Sequence, residues 1–196
     1  MAYFQKGTAP APDPNIWDSL LVVTDGLGGG MLAVSELDAT KNDGKLLKGC
    51  PLYLDFSDKA AHIVKSGLVI TGGTTTLPIV NKNHLFKVGE FVYVSGDAVT
   101  INAIDTSNAA YDVFTLSAAC TGATAGAYLE NATAAGATPT KKYVPNCLLG
   151  DTTKIVSGAT AHCIFRINQW VERSRFPHAI SDVSIASLAP NIIIKG

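Results

Sequence analysis

Charge is scarce in this sequence. Lys, Arg, Asp and Glu make up 16% of the 196 residues, against about a quarter in ordinary soluble domains. The formal net charge is −1, and the basic residues are scattered, with short pairs such as Lys141–Lys142. A protein that grips a phosphate backbone needs clustered Lys and Arg, so no nucleic acid is expected as a partner. Long apolar runs are also missing. The longest, Leu20 to Val23, is far shorter than the ~20 residues of a membrane-spanning helix, and no membrane partner is expected. The opening Met1-Ala-Tyr-Phe-Gln-Lys lacks the charged-then-apolar order of a secretory signal, which points to synthesis in a cytosol.

The local spacings that carry chemistry are absent as well. Cys50, Cys120, Cys147 and Cys163 form no C-x-x-C pair, so the strong zinc signature is missing. In a reducing cytosol they are expected as free, mostly buried thiols, with Cys147 and Cys163 sharing one β region. His62, His84, His162 and His178 include no pair at i, i+2 or i, i+4, so no local metal site forms. Gly26-Leu-Gly-Gly-Gly is followed by Met31, which breaks G-x-G-x-x-G, and no P-loop lysine follows; it reads as a hinge. No G-x-S-x-G occurs. His162 and Cys163 are neighbours, and neighbours on a strand point to opposite faces. Asp105 and Asp112 have the residue types of a glycosidase pair, but their positions at strand ends suit turn chemistry. No catalytic residue and no cofactor are therefore expected.

In place of charge stand Ala, Thr, Gly and Ser. Short side chains lose little entropy when ordered against a partner, a composition suited to β surfaces packed on neighbouring subunits. The chain is long enough to bury a proper core, and the fold expected is mainly β. Residues 1–49 read as an extended N-terminal arm, since Pro10, Pro12 and Pro14 favour a polyproline-like path. Residues 50–70 together with 139–196 read as a base domain, a small β-barrel or sandwich. Residues 71–138 read as an inserted antiparallel β lobe, because strands recur there every 10 to 15 residues between turn signals. Pro177 opens a short C-terminal helix carrying Ile180, Val183, Ile185 and Leu188 near the helical period.

Trp17 and Trp170 stand out as candidate interface anchors, the latter with Arg173 and Arg175 nearby in sequence. Trp and Arg are the residue types that dominate binding energy at protein interfaces; the alternative is that Trp170 caps its own core.

Pro51-Leu-Tyr-Leu-Asp, Pro145-Asn-Cys-Leu-Leu-Gly-Asp and His162-Cys-Ile-Phe-Arg-Ile-Asn-Gln-Trp-Val together resemble the layout of tailed-phage head-fibre and capsid-decoration proteins. The inserted His84-x-Phe-x-Val-Gly-Glu-Phe-Val, with Ile104-Asp and Tyr111-Asp-x-Phe-Thr-Leu, resembles the variable lobe of such proteins in phages and prophages of gut Bacteroidota. The resemblance covers roughly residues 45–196 and brings no catalytic residues. It implies a virion protein on the capsid surface, with the major capsid protein as partner, self-association as a homotrimer (a dimer being the alternative), and an exposed lobe. Two rival readings remain. Tyr93, Tyr111 and Tyr128 in the lobe suit stacking on host-surface glycans as well as filling a core, and a hydrolase acting on glycan or peptidoglycan is the third.

Overall fold

The computed structural model describes residues 29–136, 139–167, 170–189 and 191–196. The expected arm up to residue 28, with Trp17, lies outside the described residues. In chain order the strands of the first region are β1 (Gly30–Leu32), β2 (Lys45–Leu46), β3 (Pro51–Leu54) and β4 (Ala60–Ile63). Six more follow: β5 (Ser66–Ile70), β6 (Ile79–Asn81), β7 (Phe91–Val94), β8 (Asp97–Asp105), β9 (Tyr111–Leu116) and β10 (Tyr128–Asn131). The chain then forms β11 (Cys147–Leu149), β12 (Thr153–Lys154), β13 (Thr160–Ala161), β14 (Cys163–Ile164) and β15 (Trp170–Glu172). Helix α1 (Asp182–Leu188) and β16 (Ile193–Lys195) close it. The protein is mainly β, as expected, with a closed six-stranded barrel and a short C-terminal helix.

The barrel is built from β5 to β10 in the order β10-β5-β6-β9-β8-β7, with every neighbouring pair antiparallel. Period-two patterning is the cause. Asp112, Phe114 and Leu116 alternate inward along β9, and Val92 and Val94 along β7. Val80, Phe86, Ile101 and Leu129 are fully buried inside, so side chains fill the interior, as in other small barrels. The long strand β8 shifts register between Ile101 and Ala103, and such a bulge bends a strand enough to help close the wall. The β7–β8 hairpin turns through Ser95 and Gly96, both at positive φ (51° and 88°), the geometry of a two-residue primed turn.

The base is a sheet ordered β13-β1-β4-β3-β11-β14. Strands β13 and β14 occupy its two edges, yet His162 alone separates them in the chain. One continuous stretch, Thr160 to Ile164, therefore serves both edges, and the sheet must curl round to meet itself. Leu32, Leu46, Cys50, Leu52, Ile63, Cys147, Leu149 and Cys163 fill the inside of that curl, joined by Leu85 from the inserted segment.

Two boundaries differ from the sequence reading. Residues 29–49, grouped with the arm, belong to the base, where β1 pairs with β4 and β13 and Leu32, Leu37 and Leu46 are buried. Their strands are too short to show periodicity. Ser66–Ile70, grouped with the base, is a barrel strand paired with β6 and β10.

The C-terminal segment packs over the opposite face of β11 and β14. Leu148 and Ile164 meet Ile167, Val171, Phe176, Ile180, Leu188 and Ile192 there. The helix starts at Asp182 rather than Pro177, because Ser181 caps it by accepting the Ser184 N–H at 3.2 Å. The residues just before it are not helical and are tied to the barrel, with Ser66 Oγ donating to the Ala179 carbonyl.

Candidate functional site

The strand directions give the molecule two distinct ends. Strand β4 leaves the turn at residues 55–59 and runs into Val64 and Lys65, from which the chain enters the barrel. The 55–59 turn is therefore at the end of the base away from the barrel. Strand β1 runs parallel to β4, with Met31 beside Ala60, so the chain enters the base at Gly29 from that same far end. Phe56 stands there 71% exposed, stacked on Phe165 with ring centroids 5.8 Å apart. Exposed large apolar side chains such as this one are the residue type that anchors interfaces. Met31 on β1 and Val156 in the loop before β13 are also exposed.

At the other end an ionic network locks the base to the barrel. Lys65 is 1% exposed; its ammonium lies 2.5 Å from Glu90 Oε1 and donates to the Glu36 carbonyl. Burial pulls the Lys65 ammonium below its ordinary pKa, while Glu90 opposes that shift. The Glu36 carboxylate accepts from Tyr143 at 2.7 Å, from Lys142 at 3.1 Å and from the Ile63 N–H at 3.1 Å, and its Oε1 lies 3.2 Å from His62 Nδ1. Burial disfavours ionisation of Glu36, but the hydrogen bonds from Tyr143, Ile63 and Lys142 outweigh it and hold the carboxylate low. Tyr143 stacks in turn on His62 and Tyr53.

A second polar cluster closes the near end of the barrel. His84 Nδ1 accepts from the Phe86 N–H at 3.2 Å, so the neutral ring carries its proton on Nε2 and donates to Asp112 Oδ2 at 2.8 Å. Lys82 pairs with Asp112 Oδ1 at 2.5 Å, and Lys41 Nζ approaches His84 Nδ1 at 3.4 Å. Asp105 is exposed and accepts the Ser107 N–H in a turn. It pairs with Val113, one residue past Asp112, so the two carboxylates face opposite sides of the wall.

Burial and Lys41 push the His84 pKa down to about 4, and burial pushes that of His178 down to about 4. Between the ordinary value of about 6.5 and 4, the unfolded chain binds more protons at these positions than the folded chain does. Stability therefore falls as pH drops through that window, and below about 4 these two groups add no further loss. Denaturant midpoints measured from pH 7 to 4 are expected to fall accordingly. His178→Gln is expected to flatten the slope by up to about 1.4 kcal/mol per pH unit.

Between barrel and C-terminal segment lies a cleft of about 470 Å³, walled by Leu68, Asn81 and Tyr128 on one side and Arg173, Phe176 and His178 on the other. Arg173 donates to Asp182 Oδ1 and to the Ile180 carbonyl, both at 2.6 Å, and its guanidinium lies 5.1 Å from the Tyr128 ring centroid. Of the expected anchors, Arg173 is thus engaged within the chain, and Arg175 donates to Glu172 at 3.0 Å while more than half exposed. Trp170 contributes its backbone to the parallel pair with Ile193 on β16. Tyr128 is in the cleft wall, while Tyr93 sits on β7.

The cysteines are free and buried. Burial pushes the Cys120 thiol up to about 11 and raises Cys50 further, while a hydrogen bond to Cys163 together with burial raises Cys147. His162, exposed beside the buried Cys163, bonds Asp151 at 2.9 Å instead.

The sequence reading passed over Lys65, Glu36 and Glu90, and it named the cleft residues His178, Tyr128 and Arg173 separately without bringing them together. One signal was there: Lys65 interrupts an otherwise apolar and small stretch from Ile63 to Ile70, where an isolated charge implies a partner.

Fold and junction together define a mainly β protein of two modules, with the buried Lys65 and its partner Glu90 where they meet. Compared with family models, curated proteins and solved structures, the chain matches none.

Proposed function

We propose that this chain is a structural protein of a virus particle, a capsid-bound head fibre or decoration protein of a tailed phage, without catalytic activity. It binds the major capsid protein through the far end of the base, forms a homotrimer and projects the barrel outward. The observation that carries this reading is the polarity of the molecule. The chain enters the base beside the exposed Phe56, stacked on the half-buried Phe165, at one end, and the Lys65–Glu90 pair ties the barrel to the base at the other. A particle surface needs an attachment end and a projecting end, and rigid coupling keeps the second clear of the shell. The sequence resemblance to head-fibre and decoration proteins supports the same reading. Repetition over symmetric capsid sites adds avidity to a modest apolar contact.

Co-sedimentation with capsids from the source of the chain tests the proposal. The wild type is expected to pellet with capsids, and Phe56→Asp is expected to reduce binding at least about tenfold while leaving the melting temperature unchanged, because Phe56 lies on the surface. Failure of the wild type to bind, as a monomer in mass photometry, would overturn the reading.

A further inference from the structure

We propose that the cleft between the barrel and the C-terminal segment binds a neutral, hydroxyl-rich ligand, a glycosyl unit. This goes beyond the capsid reading and does not rest on it. His178 is 5% exposed and lines the cleft. Its Nδ1 lies 3.2 Å from the Asn83 carbonyl; a carbonyl can only accept, so Nδ1 carries the proton. In the neutral ring Nε2 is then a bare acceptor, and it has no hydrogen-bond partner. Buried polar atoms are rarely left so, and an unmet acceptor calls for a donor.

The other walls sharpen the chemistry. Asn81 Oδ1 accepts the Leu68 N–H at 3.0 Å, which fixes the amide and leaves Nδ2 to donate. Arg173 is neutralised by Asp182 and held over Tyr128, so its charge is already answered and an anion gains little there. Leu68, Phe176 and Ile180 are apolar. One acceptor, a fixed amide donor and apolar walls match a sugar, whose hydroxyls both donate and accept while its C–H face is apolar. The row continues beyond the cleft. Tyr128 pairs with Leu68, Val69 with Val80, and Asn81 with Tyr111, so Tyr128, Leu68, Asn81 and Tyr111 lie side by side on the outer wall. Tyr111 is thus placed to meet a second unit of a longer chain.

Saturation-transfer NMR on the whole protein tests this, using methyl glycosides of glucose, galactose, mannose, N-acetylglucosamine and N-acetylgalactosamine. Phosphate and glucuronate serve as anionic comparators. Transfer to at least one neutral glycoside is expected. Asn81→Asp keeps the bond to the Leu68 N–H but removes the donor, and is expected to weaken binding about tenfold or more. His178→Phe is expected to do the same, and if that variant does not fold, Asn81→Asp decides. No transfer to any neutral glycoside, binding confined to the anions, or affinity unchanged in the folded variants would overturn the proposal. The capsid assay is unaffected by any of these results.

Discussion

Replacing Lys65 with methionine is expected to destabilise the folded chain by about 3–5 kcal/mol, the cost of leaving a buried charge without its partner. The aliphatic stem survives that change, so the loss is electrostatic. Glu90, 17% exposed, would lose the ammonium at 2.5 Å, and the Glu36 carbonyl would lose its donor. For a chain of this length the melting temperature should fall by something on the order of 10 °C. The double variant Lys65→Met with Glu90→Leu should recover most of the loss, because removing both charges removes the desolvation penalty too. Urea denaturation of the four members of the cycle measures this. A single-variant loss below about 1 kcal/mol, or no recovery in the double variant, would mean that the network does not hold the junction.

Phe114→Ala is expected to cost about 3–5 kcal/mol through the cavity it leaves. Phe114 is fully buried, edge-on to Phe86 at 5.9 Å and to His84 at 4.7 Å between ring centroids. Such a barrel cannot collapse onto a lost ring without breaking wall hydrogen bonds. The damage should also be local, since the barrel has a core separate from that of the base. Hydrogen exchange should speed up first across residues 66–131, while β3 and β11 keep their protection. Uniform loss of protection would show that the two modules unfold as one.

Most of the barrel was legible because strands such as β7 and β9 alternate over four to six residues and are split by plain turns. The curl of the base was not. Grouping 50–70 with 139–196 put β3 and β11 in one module, but the strands are two to four residues long and Leu52 lies more than ninety residues from its partner Cys147, so local pattern carries no trace of the register or the curl. Strand β1 was hidden for the same reason, because Gly30-Met-Leu reads as the end of a glycine hinge. In fact Gly30 is needed where it stands. A Cβ there would lie 2.7 Å from the Lys59 carbonyl and 2.4 Å from Leu54, so the glycine permits the close approach of β1 to the 55–59 turn. The cleft was invisible for a further reason. His178, Asn81 and Tyr128 are far apart in sequence, and what unites them is the packing of the C-terminal segment on the barrel wall. Asp112 shows the limit of a residue-type argument, since an Asp that suits a turn is here a buried partner of His84.

Electron microscopy of particles from the source of this chain tests the central proposal most directly. The account predicts repeated, symmetric density for the chain on the capsid surface, with the Phe56 end of the base against the shell and the barrel pointing outward. Particles that lack the chain, or a barrel seated against the shell with Phe56 in solvent, would contradict it.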